Sequence, residues 1–580
     1  MTASLQTKQL PLGISDFERI CRENYYYVDK TMYIPRLEFA SSYLFLVRPR
    51  RFGKSLMLNM LKAYYDINLA NRFEQFFGHL WIGQHPTPLH NTYAVLHLDF
   101  SLVFGPIEKL PDNFDVYCGM VCDGFAKQYE YLFYNGFAKD VKDTSYAGGK
   151  LNIIGRKAKE CGVPLYLIVD EYDNFTNTVL NQHGEDVYRG LTHGEGFYRD
   201  IFKSFKANFE RVLMLGVSPV TMDDLTSGYN IATNITARAS FNQMLGFSED
   251  DVRAMFSYYH EAGWLKGDVD AMIEEMKPWY DNYCFAEEGL DESRMFNSDM
   301  VLYYLGNQVA EGRRPKDMLN PNARTDYQKM KKLIQLDKLE PQRRSIIYQI
   351  AEQGYINANI VPYFPASEMV KFDNFVSLLY YYGMLTITGT NGFTLRLGIP
   401  NNNVRKQYYG YLLEEYDRIR DFDRFALNDH FQQAALKGEW QPLLTMVSNE
   451  YEKTCAVRCL IEGERNLQGF FTAYFSLCPY YLTAPELELN HGYCDFFLLP
   501  DLQRYPMVAH SFIFELKYLK QDATEAEADE QWAKAKEQIN GYAQDGKLRL
   551  LCGSTQLHLV VAQFRGDKLV RSEEIPHHPC

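Results

Sequence analysis

Leu44-Phe45-Leu46-Val47-Arg48-Pro49-Arg50-Arg51-Phe52-Gly53-Lys54-Ser55-Leu56-Met57 is an apolar run that breaks into a basic, glycine-bearing turn and then reopens as an amphipathic stretch. A strand running into Gly-Lys-Ser at the head of a helix is the arrangement of a phosphate-binding loop. Gly53 lets the backbone approach phosphate oxygens. The amides of the helix that follows point at the anion, aided by the dipole. Lys54 can neutralise β- and γ-phosphates, and Ser55 can ligate Mg²⁺. The usual motif has a glycine at the position held here by Arg48, so the pattern is degenerate at that end.

Three further apolar runs lie on either side of helical stretches: Ala94 to Leu98, Leu165 to Val169 and Val212 to Gly216. Continuous apolar strands separated by helices predict a parallel sheet covered on both faces. The third run ends in Asp170-Glu171, and a buried strand carries charge only where it leaves the sheet. Ligands of open α/β sheets bind at that edge. Asp170 is expected to hold the Mg²⁺ shell, and Glu171 to orient or deprotonate an attacking water. The two strand ends, at Lys54 and at Asp170-Glu171, are expected to lie side by side. Ser218, at the end of the fourth run, would sense a γ-phosphate. Asp99 ends the second run and is the weaker candidate; for both residues an ordinary strand-end polar group is the competing reading. Arg238 is a candidate arginine finger, against the plainer reading of surface charge.

From Phe247 to about Leu397 the pattern is helical, as in Glu249 to Ala262 and Val370 to Tyr382. It ends in a β-like pair, Met384 to Thr388 and Phe393 to Leu397. This predicts a helical lid or winged-helix-like middle. Turn chemistry at Pro400-Asn401-Asn402-Asn403 marks a joint. Beyond it, helical sequence from Gln407 to Phe475 precedes strands near Tyr493 to Leu499, Ser511 to Tyr518 and Gln556 to Gln563. A charged helix, roughly Ala523 to Gln544, separates the last two. The expected division is residues 1–245 for a P-loop (ASCE/AAA-like) domain, 246–400 for the lid or winged-helix-like region, and 401–580 for a separate α/β module.

Val47-Arg48-Pro49-Arg50-Arg51-Phe52-Gly53-Lys54-Ser55 resembles the signature of the bacterial AAA-ATPase-like family, whose members usually carry a C-terminal nuclease-like domain of the PD-(D/E)XK superfamily. Leu10 to Phe17, Tyr27 to Thr31, Asp170-Glu171-Tyr172-Asp173, Trp279 to Tyr283, Leu378 to Thr386, Ile399-Pro400-Asn401 and Phe514 to Lys517 continue the match. Phe296-Asn297-Ser298 departs from it, since relatives tend to carry Tyr-Asn-Pro there. The resemblance implies ATP and Mg²⁺ as cofactors, with Arg50, Arg51, Phe52, Gly53, Lys54, Ser55, Asp170 and Ser218 around the nucleotide. In the C-terminal module, Glu515 and Lys517 share one strand face and would point towards Asp495 if their strands pair. The resemblance implies that Asp495 and Glu515 hold Mg²⁺ there, with Glu464 completing the shell and Lys517 positioning a water. Gln538 and Tyr542 resemble the Gln-x3-Tyr often found in the next helix. Outward-facing alternation on an edge strand is the competing reading of this pattern.

The chain has 580 residues, 46% hydrophobic and 23% charged, and a net charge of −14. That charge excludes a globally basic nucleic-acid binder, so DNA or RNA contacts require local patches. Residues 313–344 are one such patch, or else a solvated helical face. Eleven scattered cysteines are no disulfide framework. Cys118/Cys122 and Cys455/Cys459 read as free thiols, not as zinc ligands. No apolar run spans a bilayer and no secretory leader is evident, so the expected address is the cytoplasm, with no membrane partner. The sequence supports an ATP-dependent nuclease or nucleic-acid remodeller first. A nucleotide-controlled switch whose nuclease-like domain only binds a partner comes second, and a structural protein with a vestigial P-loop third. A homo-oligomer would follow if a neighbouring subunit supplies the arginine finger.

Overall fold

The computed structural model describes residues 7–173, 197–219, 232–292, 294–315, 317–323, 346–365, 368–417, 423–458, 464–489, 492–502, 504–545, 548 and 551–576. They form two compact units, residues 1–346 with 355–404 and residues 347–354 with 405–580.

The first unit is built on β1 (Tyr43–Val47), β2 (Ala94–Asp99), β3 (Leu165–Asp170), β4 (Arg211–Gly216) and the two-residue β5 (Thr233–Asn234). All four pairings are parallel, in the order β2-β3-β4-β1-β5. Every residue of β3 is buried, the terminal Asp170 included. Such a strand tolerates only apolar side chains until it exits, which is why its composition announced it. The order corrects one expectation: β1 and β3 are not neighbours. β4 lies between them, so their ends stand two strand spacings apart, about 10 Å, and the loop after β1 bridges that gap.

Helix Lys54–Tyr65 follows the loop, with Gly53 at its N-cap in the left-handed region (φ 87°). The middle region belongs to this unit. Helix Glu249–Glu261 opens with a capping box in which the Ser248 hydroxyl accepts from the Asp251 amide while the Asp251 carboxylate accepts from the Ser248 amide. Helices Val269–Tyr280 and Ser298–Glu311 follow. Then comes a three-stranded antiparallel sheet of β6 (Tyr355–Ala358), β7 (Thr386–Asn391) and β8 (Thr394–Gly398), in the order β6-β8-β7, with helix Phe372–Tyr381 beside it. The expected hairpin is β7–β8. β6 was not anticipated.

The second unit holds β9 (Tyr481–Leu489), β10 (Gly492–Pro500), β11 (His510–Leu519), β12 (Gln556–Arg565) and β13 (Lys568–Glu574), in the order β13-β12-β11-β10-β9. β11 and β12 are parallel and the other pairs antiparallel. The crossover between β11 and β12 is helix Glu525–Tyr542, opened by a Thr524–Glu527 capping box. It packs Trp532, Ala535, Ile539 and Tyr542 on Cys494, Phe497, Ile513, Leu559 and Val561. Helix Glu464–Phe475 sets Phe475 against Phe496 and Phe514. No helix among the described residues is long and apolar enough to cross a membrane.

Candidate functional site

At the carboxyl edge of the parallel sheet, Lys54 folds back across its own loop. Its Nζ donates to the carbonyls of Arg48 (3.1 Å) and Pro49 (2.9 Å). Burial lowers its pKa, while the facing Glu171 and Asp170 carboxylates oppose that shift. The Ser55 hydroxyl donates to Asp170 Oδ2 at 2.6 Å. Asp170 Oδ1 accepts from the Glu171 amide at 2.9 Å. Burial raises the pKa of both acids. The Ser55 hydrogen bond and the Lys54 charge hold Asp170 down, and the Lys54 and Arg50 charges do the same for Glu171. Glu171 sits at φ 47°, a costly conformation for a residue with a Cβ. The ammonium, the hydroxyl and the acids therefore converge although their strands are not adjacent. Asp99 lies opposite Asp170 in register, and its carboxylate caps the turn at Ser101.

Arg48, where a glycine is usual, is fully buried. Its guanidinium donates to the carbonyls of Val47 (3.0 Å), Thr236 (2.6 Å) and Phe241 (3.0 Å) and lies 4.3 Å from the centre of the Phe285 ring. Burial pulls its pKa down to about 10. This is a structural strut under the loop. Phe52 is likewise an anchor: its ring is buried edge-on against Tyr283 (4.9 Å) and Phe285 (5.4 Å). The Arg51 guanidinium pairs with Asp299 (3.0 Å) and donates to the Asn322 carbonyl (2.5 Å). Of the loop residues expected around a nucleotide, Phe52 thus fixes the loop from below, and Arg51 ties it to a neighbouring helix.

That neighbour was missed from sequence. The Ser298 hydroxyl (3.0 Å) and the Asp299 amide (3.3 Å) donate to the Arg51 carbonyl, and the Asn297 amide group (3.4 Å) to that of Arg50. The stretch noted only as a departure from relatives is a clamp on the phosphate loop. The end of β4 is held as firmly. Asp173, buried, accepts from the amides of Val217 (3.2 Å) and Ser218 (2.6 Å), while the Tyr172 hydroxyl donates to the Ser218 carbonyl (2.7 Å). Tyr382, partly buried, stands beside Ser218. Next to it, a Cβ on Gly383 would stand 2.9 Å from the Pro49 ring. Arg238 is exposed after β5.

A cavity of about 470 Å³ opens over the loop, lined on one side by Arg50 to Met57 and Glu171. Its apolar wall comes from Ile14, Tyr26, Val28, Leu245, Phe247 and Leu302. The family-like stretches Leu10 to Phe17 and Tyr27 to Thr31 signalled that something was there without saying what. Lys30 joins this wall to helix Glu249–Glu261 through Asp251 at 2.6 Å.

In the second unit, β10 and β11 pair with Phe496 opposite Phe514, which sets Asp495 and Glu515 as the next residues on facing strands. Asp495 accepts from the Leu516 amide and from Gln468, both at 2.6 Å. Glu515 is buried and pairs with Lys517 at 2.7 Å. Tyr542 stands near both carboxylates. Burial and the Glu515 charge raise its pKa against the Gln538 hydrogen bond that lowers it. Asp495, Glu515, Lys517, Gln538 and Tyr542 are thus one cluster. Glu464 opens its helix, but its side chain lies outside the described residues. Among the described residues no group of three His, Cys, Asp or Glu side chains is placed to hold a metal. In the basic stretch, Arg313 pairs with Glu311 and Arg314 with Glu275, while Lys316 and residues 324–344 lie outside the described residues. Cys118 and Cys122 are buried free thiols, and Cys459 lies outside the described residues.

A five-stranded parallel sheet whose first strand feeds Gly-Lys-Ser, with an acid-tipped strand bonded to that serine, defines a P-loop NTPase fold. Residues 11–226 match the family described as predicted AAA-ATPase, and residues 462–574 match the PD-(D/E)XK nuclease superfamily. The chain thus joins a region like the predicted AAA-ATPases to a region like the PD-(D/E)XK nuclease superfamily. It is 26% identical over 294 residues to an uncharacterized protein in the vnfD 5' region of Azotobacter chroococcum mcd 1, an alignment spanning 49% of this chain and 50% of that one. Among solved structures it is similar to the Aeropyrum pernix ORC2 protein in ADPNP and ADP complexes (10% identity, TM-score 0.31, 69% of this chain and 98% of that one). It is also similar to the Aeropyrum pernix ORC1 protein in complex with DNA (10% identity, TM-score 0.25, 70% and 93%). Likenesses this loose carry no functional argument.

Proposed function

We propose that the chain binds and hydrolyses magnesium-ATP in the cavity over the phosphate loop, and that its C-terminal domain acts on nucleic acid with Mg²⁺. The observation that carries the first half is the 2.6 Å hydrogen bond between Ser55 and Asp170 beneath a cavity of about 470 Å³. A hydroxyl and a carboxylate so placed are an oxygen-only donor pair, which suits a hard cation. The cavity has the size of a nucleotide-scale site. A Cβ on Gly53 would meet only Ser298 Oγ, at 3.8 Å, so the loop leaves room on that side.

In this reading Lys54 exchanges its loop carbonyls for phosphate oxygens, and Gly53 with the first amides of the helix cradles them. Ser55 and Asp170 would hold Mg²⁺, which supplies charge neutralisation between the β- and γ-phosphates. Arg50 faces the phosphates beside Glu171. Glu171 accepts the proton of the attacking water, and its raised pKa suits that task. Ser218, fixed by Asp173 and Tyr172, reads the γ-phosphate position. In the C-terminal domain, Asp495 and Glu515 would hold Mg²⁺ with Glu464, and Lys517 would leave Glu515 to orient the water. Domain limits of 1–245, 246–400 and 401–580 accompany this reading, as does a homo-oligomer if the arginine finger comes from a second subunit. We place the activity in the cytoplasm, where free thiols persist.

One tube tests both halves: ATP turnover with and without DNA or RNA, and cleavage of the same nucleic acid. Turnover lost in Lys54→Ala, with cleavage lost in Asp495→Asn, is the expected result. No turnover in the wild type would overturn the first half. A second reading, a nucleotide-controlled switch whose nuclease-like domain only binds a partner, draws on the Glu515–Lys517 pair and on the net charge of −14. Absent Mn²⁺ binding at Asp495 and Glu515 would favour it.

A further inference from the structure

We infer that the β7–β8 hairpin is a nucleic-acid contact in which Phe393 stacks on a base or wedges into a base step. The inference rests on the reading that this protein acts on nucleic acid, and it names the surface and the manner of contact.

The hairpin turns at Asn391-Gly392-Phe393, with Gly392 at φ 62°. Phe393 at its tip is fully exposed (104%). Folding buries none of that ring, so its apolar face stays available to a partner. Thr388, Thr390, Asn391 and Arg396 are exposed around it, a set of hydroxyl, amide and guanidinium donors. The Arg396 guanidinium lies flat against Tyr355, 3.7 Å from the ring centre, which braces the hairpin on β6.

The charge pattern selects the partner. The chain carries 74 Asp and Glu, yet residues 374–413 contain neither. The hairpin's one charged residue is Arg396. An acid-free, donor-bearing protrusion on a chain of net charge −14 can approach a polyanion without the repulsion the rest of the chain carries. Among the described residues two other phenylalanines are nearly as exposed, and both contrast with it: Phe39 follows Glu38, and Phe425 follows Asp423-Arg424.

The manner of contact follows from what is buried. Helix Phe372–Tyr381 is the element beside the small sheet that could enter a major groove. Asn374 to Tyr381 are all buried, Tyr380 bonded to the Phe285 carbonyl and Tyr381 to that of Val361. That helix offers no face for reading base edges, so the hairpin tip is what reaches out. An aromatic ring flanked by small polar donors suits stacking with sequence tolerance, on a single strand or at an opened duplex step.

The test is fluorescence anisotropy of the full-length protein with a fluorescein-labelled 30-mer, once as single-stranded DNA and once as its duplex. The comparison is between wild type, Phe393→Ala and Thr390→Glu. Phe393→Ala is expected to weaken binding by about tenfold or more, with an unchanged salt dependence. Thr390→Glu is expected to weaken it at low salt and to recover as salt rises. Both substitutions are at exposed positions, and binding of a fluorescent ATP analogue reports that the variants are folded. The larger loss on the single strand marks base stacking, and on the duplex a wedge. If the wild type binds both probes and Phe393→Ala binds them equally well, the hairpin inference falls alone. If the wild type binds neither, the reading it rests on falls with it.

Discussion

The two polar sites of this chain are built from the same parts and held in opposite ways. Each sets a lysine beside two carboxylates at the edge or face of a sheet. At the phosphate loop, Lys54 rests on main-chain carbonyls 3.1 and 2.9 Å away, and the acid is kept for Ser55. In the C-terminal domain, Lys517 pairs directly with the buried Glu515. A cation parked on neutral carbonyls is released at small cost when an anion arrives. A cation locked on a buried carboxylate must lose a close ion pair before it can do other work. The loop lysine is therefore held only by neutral groups, whereas Lys517 is held by a charge.

Several measurements would break or sharpen that contrast. The largest effect is expected from Lys54→Ala, which should cut ATP turnover by about 1,000-fold, read by phosphate release. A loss of less than tenfold would mean that Lys54 does not meet the phosphates. Asp495→Asn comes next. It should lower Mg²⁺-dependent cleavage by about 100-fold and leave ATP turnover untouched; a matching fall in both would tie the sites together in a way the contrast denies. Restoring the usual glycine, Arg48→Gly, should destabilise the protein by about 3 kcal/mol or more, because three buried carbonyls lose their donor. Urea unfolding measures it. Asp173→Asn should cost about 1–3 kcal/mol and lower kcat more than KM, since it weakens the acceptor for the Val217 and Ser218 amides.

The smallest expected effect is on pH dependence. Burial raises the pKa of Glu171, and Lys54 and Arg50 only partly offset it. If its ionised form is the base, as proposed, turnover should fall as pH drops through that raised value. The acid limb of the rate profile therefore sits above the ordinary carboxylate range. The sign for stability is the reverse: the raised native pKa favours folding below the unfolded value, and that contribution is lost as pH rises through the folded one. Glu171→Gln should remove the acid limb along with most turnover.

The core of the first unit could be read from the chain because β1 to β4 are continuous apolar runs that start and stop abruptly. β9 and β13 could not. β9 is interrupted by Pro485, Glu486 and Glu488, and β13 is a mostly exposed strand carrying Lys568, Arg571, Glu573 and Glu574. The two-residue β5 and four-residue β6 fall below any periodicity. At the carboxyl edge of the parallel sheet, Gly53, Lys54, Ser55, Asp170 and Glu171 announce themselves through local spacing. What supports them does not, because Asn297 to Asp299 and Tyr382-Gly383 lie hundreds of residues away and act through carbonyls and a missing side chain. Phe52 stands in the loop motif with its ring packed on Tyr283 and Phe285, since adjacency in sequence does not say which way a ring points.

Gly383 has no side chain because none would fit against Pro49. Two residues earlier ends the helix that braces the small antiparallel sheet, and two positions later than Pro49 the loop is pinned to Asp299. The loop is thus wedged between two contacts that leave it no slack. Its resting height over the sheet is set partly from outside the loop, and an added methyl group at position 383 would lift the entrance much as a shim lifts a hinge.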